Sequence, residues 1–339
     1  MVTTVVVAIL LGGSLMSALL WVLFLRLGLR WAKVEDVTAG RLAKATVFVV
    51  VIELAATILA LSVTPSSTTL SLAIMIGQLL AAVLIPCLII AKVFKTSFAR
   101  AFRAWLPTII APVITILLVM FAIKPYFVEA FVIPTNSMAP TILGHHLQGT
   151  CQQCGGPAFC SATHLRYGLS EPTLMICRDN FHVTETADYG EEILGGDRVI
   201  VTKFTQPRRW DIIVFRYPEN PDTMYIKRLV GMPGEQIVIK DGHVWANGKK
   251  LIPPVSIRGI EYLGEMPVMG GMPWGSPRRP ARLAYDEYFV LGDFTQCAKD
   301  SRLWQQGAPG HAPFAVPKSH FHGVVTNIYW PPSRWRAFR

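Results

Sequence analysis

Four apolar runs, residues 4–25, 45–63, 70–93 and 105–126, occupy most of the first 126 residues. Each is about 20 residues, enough for a helix to cross a hydrocarbon core of roughly 30 Å. This constrains the chain more than any other feature, because it predicts a membrane region of four helices. The composition agrees: 52% of residues are hydrophobic and only 16% charged. The mean hydropathy is +0.40, greasy for a soluble enzyme. No basic residue precedes the first run, while Arg26 and Arg30 follow it, so it does not read as a cleavable signal peptide.

Charge sets the expected topology. The loop after the first run carries Arg26, Arg30, Lys33, Arg41 and Lys44, and the loop after the third carries Lys92, Lys95, Arg100 and Arg103. Residues 64–69, after the second run, carry no charge. The positive-inside rule therefore puts the first and third loops in the cytoplasm, with the N-terminus and everything after residue 126 outside. The net charge of +10 is accounted for largely by these loops. No basic stripe interleaved with aromatics accompanies it, so nucleic acid is not an expected partner. Glu53 is the acid within a span, read either as functional or as a helix–helix hydrogen bond.

From residue 127 the pattern turns to strands and turns. Phe131-Val-Ile reads as a short strand, Pro134 ends it, and Thr135-Asn-Ser137 forms a polar turn closed by Pro140. Ser137 is a turn serine by default, and a nucleophile only if a base lies beside it. Residues 208–218 and 225–235 read as two strands of a hairpin about a loop at 219–224. Lys227 sits in the second strand between apolar residues, where a lysine ordinarily marks an edge or solvated face. Asp241-Gly242 and Asn247-Gly248 mark the turns of a further hairpin over 236–250. Residues 253–280 read as an irregular excursion, and residues 285–291 as a strand. Residues 148–182 differ again, with Cys151-Gln-Gln-Cys154-Gly, Cys160 and Cys177. A Cys-x-x-Cys-Gly knuckle suits zinc. Cys151, Cys154 and Cys177 are the expected ligands, with Cys160, His164 or His182 completing the set. In an outward-facing segment disulfides compete with that reading, and free thiols are the third option.

Several strings together resemble the conserved boxes of type I signal peptidases, the membrane-bound Ser-Lys leader peptidases. They are Pro134-Thr-Asn-Ser-Met-Ala-Pro-Thr141, Gly196-Asp-Arg-Val-Ile-Val-Thr-Lys-Phe204, Tyr225-Ile-Lys-Arg-Leu-Val-Gly-Met-Pro-Gly234, Gly292-Asp-Phe-Thr-Gln-Cys-Ala-Lys-Asp-Ser-Arg302 and Gly323-Val-Val-Thr-Asn-Ile-Tyr-Trp-Pro-Pro332. The resemblance implies a multi-pass α-helical membrane region followed by a mainly-β catalytic domain of antiparallel sheets at 127–339, with a Cys-rich insert at 148–182. It implies Ser137 as nucleophile and Lys227 as general base. Thr135, together with the Ser137 N–H, would form the oxyanion hole. Asp293, Asp300, Ser301 and Arg302 would be supporting residues, with Asp300 and Arg302 joined in a salt bridge. Signal-peptide-bearing preproteins would be substrates, and the lipid bilayer and the secretion translocon partners. The location would be the outer side of the cell membrane, and catalysis would need no cofactor.

The last box departs from the family in two places. Phe294 replaces an Asn, and Ala298 stands where a serine usually holds the lysine, so another hydroxyl or a backbone carbonyl must hold the amine. The chemistry also makes a demand: an unperturbed lysine has a pKa of about 10.4, and only burial can make it a base near neutrality. Lowering it to about 8 costs roughly 3 kcal/mol. Lys203 is the next residue to consider. A catalytically impaired relative acting as a membrane-anchored binding or scaffold protein, and a peptidase specialised for one exported substrate, remain as alternative readings.

Overall fold

Backbone that closes its own hydrogen bonds suits apolar runs of this length, and the first unit of the chain, Thr3–Pro125, is built of helices. The computed structural model describes the chain apart from residues 1, 63–67, 124–125, 163–172, 187–188, 191, 266–271 and 339. Helices α1 (Val2–Trp31), α2 (Ala39–Ser62) and α3 (Thr68–Val93) cover the first three runs. The fourth run is less regular. Helix α4 (Phe98–Trp105) passes through a 3-10 turn at Leu106–Ile109 into α5 (Ile110–Leu118) and a π turn at Val119–Ile123. Pro107 lies at the start of the 3-10 turn, where its missing N–H costs least.

Two described stretches, Ile74–Val93 and Phe98–Phe121, are long and apolar enough to cross a membrane. The second starts before residue 105, the boundary read from hydropathy. Arg100 and Arg103 interrupt the apolar pattern, but arginine is a good helix former and does not break the helix. Leu25 and Leu29, Leu42 and Ala45, Ile90, and Ala101 and Ala104 form a buried cluster among α1 to α4. Leu15, Leu19, Leu79, Leu88 and Phe121 are exposed, as side chains facing lipid would be. The uncharged loop after α2 lies partly, and the Glu53 side chain wholly, outside the described residues.

The second unit, Tyr126–Arg339, is antiparallel β. Its first strands are β1 (Val128–Val132), β2 (His146–Thr150), β3 (Pro157–Ser161), β4 (Thr173–Cys177) and β5 (Val183–Thr186). Next come β6 (Arg198–Thr202), β7 (Ile212–Tyr217), β8 (Asn220–Gly231), β9 (Gln236–Lys240), β10 (His243–Ala246) and β11 (Lys249–Lys250). The last are β12 (Ala281–Arg282), β13 (Glu287–Leu291), β14 (Val316–Pro317), β15 (Phe321–Trp330) and β16 (Arg336–Ala337). An eight-stranded sheet runs β1-β6-β15-β7-β8-β13-β14, with β16 on β15. A four-stranded sheet runs β11-β10-β9-β12, and a third, β2-β3-β4-β5, is made from the cysteine-bearing segment.

The hairpin of β7 and β8 is tighter than its sequence suggests. Tyr217 pairs with Asn220, so β8 begins at residue 220 and the expected loop at 219–224 is mostly strand. Strand alternation sorts the core of the large sheet. Ile212 and Val214 of β7 join Val199, Val201, Ile226 and Val325 in one cluster, whereas Ile213, Phe215 and Tyr217 join Leu229, Val290 and Val324 in another. Ile133, Met138 and Ile142, which flank Ser137, belong to the first.

Candidate active site

The turn that carries Ser137 is fixed at both ends. Val128–Val132 pairs along its whole length with β6, and Ile133 N donates to Asp197 O at 3.0 Å. Met138 and Ile142, which follow Ser137, are fully buried. Leu143 N donates to the Asp197 carboxylate at 2.8 Å, and Arg334 Nε holds the other oxygen of that carboxylate at 2.7 Å. Gly144 then folds back against Thr135. A Cβ there would meet the Thr135 carbonyl oxygen at 2.4 Å, so no side chain fits. Asn136 crosses the loop inside, its Oδ1 accepting from Gly144 N at 2.8 Å. The product is a serine whose main chain has little room to move.

Lys227 reaches that serine from β8. Its Nζ lies 2.8 Å from Ser137 Oγ, across a sequence separation of 90 positions. Lys227 pairs with Ile213 of β7, and its Nζ lies 5.2 Å from the centre of the Tyr225 ring. Only 3% of Lys227 and 8% of Ser137 is exposed. Burial among these groups removes the water that stabilises an ammonium and pulls the Lys227 amine from 10.5 to about 8. The carboxylates of Asp300 and Asp293 work the other way, but each is held by its own arginine. Arg302 Nη2 meets Asp300 Oδ2 at 2.8 Å, with both side chains fully buried. Arg228 Nη2 meets Asp293 Oδ2 at 2.5 Å, and its Nε reaches Oδ1 at 2.6 Å.

The amine's second contact answers the question posed by Ala298. Lys227 Nζ donates to the carbonyl of its own neighbour, Ile226, at 2.8 Å. Ala298 is buried, and its Cβ would lie 2.2 Å from a Cβ placed on Gly292. The space beside the box is therefore closed by a methyl contact against bare glycine. A Cβ on Gly292 would also meet Ser137 O at 2.6 Å, and Phe294 N donates to that same oxygen at 3.2 Å. The loop after β13 thus abuts Ser137 directly. Ser301 Oγ accepts from Val290 N, and Asp300 Oδ2 from Gly292 N, each at 2.9 Å. Thr135 is exposed on the turn, two residues before Ser137. Lys203 is not at this site. Its Nζ meets Glu129 Oε2 at 2.8 Å, across β1 and β6.

A second constellation lies in the cysteine-bearing sheet. The ligand atoms of Cys151, Cys154, Cys177 and His182 all lie within 4.8 Å of one another. Cys154 Sγ and Cys177 Sγ are 3.4 Å apart, and Cys151 Sγ is 3.8 Å from His182 Nδ1. A tetrahedral ion with Zn–S bonds of about 2.3 Å would place its ligand atoms roughly 3.8 Å apart. Of the candidates for the fourth ligand, Cys160 is not in this group. Cys177 pairs with Ala158, so Cys160 stands two residues, about 7 Å, further along β3, buried with Leu147 and Met175. His182 takes the place because the turn after β4 folds back, with Cys177 N donating to His182 O at 2.8 Å. His164 lies outside the described residues.

Sequence reasoning missed Asn136, Asp197, Arg228 and Arg334, all of which hold the site through partners remote in the chain. Asn136, Asp197 and Arg228 lie inside the strings quoted above without a role there, and Arg334 lies just beyond the last of them.

Comparison with known proteins converges on one family. The family model described as "Signal peptidase, peptidase S26" matches residues 181–330, a stretch that contains Lys227 and residues 293–302 and begins downstream of Ser137. Signal peptidase I of Pseudomonas fluorescens is 26% identical over 238 residues, covering 64% of this chain and 70% of that protein. The Rickettsia prowazekii enzyme of the same name is 27% identical over 239 residues, covering 63% and 79%. That of Leptolyngbya laminosa is 34% identical over 149 residues, covering 41% and 62%.

Proposed function

Since the chain belongs to the type I signal peptidases, we propose that Ser137 is its nucleophile and Lys227 its general base. The protein is a serine endopeptidase that removes signal peptides from preproteins. The observation that carries the residue assignment is the 2.8 Å approach of a buried amine to a buried hydroxyl. Neutral Lys227 takes the proton of Ser137 Oγ, which attacks the scissile carbonyl and forms the tetrahedral oxyanion. The Ser137 N–H and the Thr135 hydroxyl stabilise that charge. The C–N bond then breaks, and the leaving amine carries away the proton held by Lys227. Lys227 next deprotonates a water, which hydrolyses the acyl ester and frees Ser137. Asp293, Asp300, Ser301 and Arg302 act at one remove, by holding the loop after β13. The test is cleavage of a signal-bearing preprotein by the purified full chain in proteoliposomes. Ser137→Ala should abolish it; residual cleavage at the same bond above a few per cent would remove Ser137 from the mechanism.

Membrane anchoring rests on the apolar helices. In our reading there are four spans, with the N-terminus outside and both basic loops in the cytoplasm. The catalytic unit then sits on the outer face of the cell membrane, beside the lipid surface and the exit of the secretion translocon, where the end of a signal peptide's apolar segment becomes accessible. The substrate would pair as an added strand, its small side chains in shallow pockets. Catalysis needs no metal in this scheme. Cys151, Cys154, Cys177 and His182 are read separately as ligands of one structural zinc-class ion. The gathering of all four ligand atoms within 4.8 Å of one another supports this.

A further inference from the structure

The cysteine-bearing sheet has two faces, and the second one packs against the turn that carries Ser137. Along β3 and β4, Ala158, Cys160, Met175 and Cys177 lie in one buried cluster. The intervening Phe159 and Ile176 lie in another, with Ala139 and Leu143 of the Ser137 turn and with Phe294 of the loop after β13. Phe294 is fully buried there. The two faces therefore alternate residue by residue, as strand geometry requires. Ile176, which covers the turn, is bonded directly to Cys177, a ligand.

A polar link runs parallel to this packing. Asn136 Nδ2 donates to the carbonyl of Cys160 at 2.7 Å, while its Oδ1 holds Gly144 N. Asn136 is 2% exposed, so without the Cys160 carbonyl its amide would be left buried and unpaired, a costly state. Ala162 N also donates to His145 O at 3.2 Å. The residue preceding the nucleophile is thus clamped between its own turn and β3.

A sheet of four short strands has little core of its own, and such elements usually need a staple. Here the nearest thiols are 3.4 Å apart, beyond the roughly 2.05 Å of a disulfide. The ligand cluster sits at the knuckle joining β2 to β3 and at the turn joining β4 to β5, so one ion would tie both hairpins together. Where a site is assembled by folding, metal binding free energy becomes folding free energy.

We propose that a zinc-class ion on Cys151, Cys154, Cys177 and His182 positions the nucleophile: the metal-bound sheet holds the Ser137 turn through Asn136 and through Phe159 and Ile176, and the peptidase reaches full activity only when that sheet is metal-loaded. The proposal rests on the metal reading given above, and Asn136 acts in it as a positioning residue. Loss of the ion loosens β3 and β4, frees the Asn136 amide and uncovers Ala139 and Leu143. Ser137 Oγ then no longer keeps its short approach to Lys227.

The test uses the full chain purified with zinc sulfate in detergent. Metal content is measured, the ion is stripped with a chelator and then restored, and amide exchange is followed at Ala139, Ile142, Leu143 and Gly144 alongside preprotein cleavage. About one zinc per chain is expected. Stripping should speed exchange at those amides and lower kcat by at least about tenfold each, with recovery on adding zinc and no change in the β9–β10 hairpin. Cys177→Ser should hold about as little zinc as the stripped wild type and show the same fast exchange. Absence of bound zinc would overturn the proposal. So would bound zinc whose removal leaves exchange and kcat within twofold. Should exchange respond while the wild type cleaves no preprotein, the coupling stands and the peptidase assignment falls instead.

Discussion

Two lysines of the β unit, one just past the end of β6 and one on β8, have opposite fates. Lys203, at the end of the β6 region, meets the Glu129 carboxylate at 2.8 Å, and His322 Nε2 approaches the same oxygen at 2.8 Å. Burial would raise the Glu129 carboxyl, but hydrogen bonds from Lys203 and His322 outweigh it and hold the group below its usual value. The Lys203 amine is thus engaged with a carboxylate and not with a hydroxyl. Lys227 is more deeply buried and has a hydroxyl and a carbonyl as its contacts, Ser137 Oγ and Ile226 O. The two acids near it are spent on Arg228 and Arg302. Proximity of carboxylates does not decide which amine becomes a base. Burial comes first, since it is what lowers the Lys227 amine, and engagement of the nearby acids helps, because a neutralised pair exerts a weaker pull than a free acid.

Removing each amine should separate them most sharply. Lys227→Ala is expected to lower kcat/KM for preprotein cleavage by about 10³-fold, within the range found for a lost general base. Lys203→Ala should stay within about twofold, because its amine is held by Glu129 and does not reach Ser137. Equal losses in the two variants would erase the distinction.

The acids come next. Asp300→Asn leaves the fully buried Arg302 guanidinium without its partner. Breaking such a pair costs about 3–5 kcal/mol, readable as a lower denaturant midpoint. Glu129→Gln, whose partners keep some solvent, should cost about 1 kcal/mol or less. A larger cost at Glu129 than at Asp300 would invert the contrast.

Protonation gives a smaller and graded effect. Because only the neutral amine accepts a proton, kcat/KM should rise tenfold per pH unit below about 8 and level off above it. Stability should follow the same group. The unfolded chain holds the Lys227 proton up to about 10.4 and the folded chain only to about 8, so between those values the unfolded state binds more protons and stability rises with pH. Below pH 8 the full penalty, about 3 kcal/mol, is present. Lys227→Met should therefore be more stable than wild type at pH 7, with the gap closing towards pH 10. A flat activity profile from pH 6 to 9 would place the base elsewhere.

What the sequence made legible was local. The turn dipeptide Asp241-Gly242 announces the β9–β10 hairpin, and both residues adopt positive φ, as the tightest hairpin turns require. The strings around Ser137 and Lys227 pointed to a common site. What holds them there was not legible, because each support joins residues far apart in the chain: Arg228 to Asp293 over 65 positions, Arg334 to Asp197 over 137. Register and sheet order set such meetings, and neither is written in a short window. The choice of His182 over Cys160 as fourth member of the cluster is hidden from the sequence for a related reason. Spacing says which residues are near in the chain, whereas a strand carries Cys160 away from the knuckle and a turn brings His182 back.

The smallest effect concerns Ala298, where a hydroxyl would be expected to hold the lysine. Ala298→Ser adds one oxygen in a buried spot whose Cβ already presses on Gly292. The amine has its carbonyl contact at Ile226, so the new hydroxyl would be a redundant acceptor. The expected change in kcat is under threefold, with stability lowered by about 1 kcal/mol or less through crowding. If instead kcat rose tenfold, the Ile226 carbonyl would be a poor substitute for a serine at 298. The contrast with Lys203 would then need a second ingredient, a dedicated hydroxyl, besides burial and engaged acids.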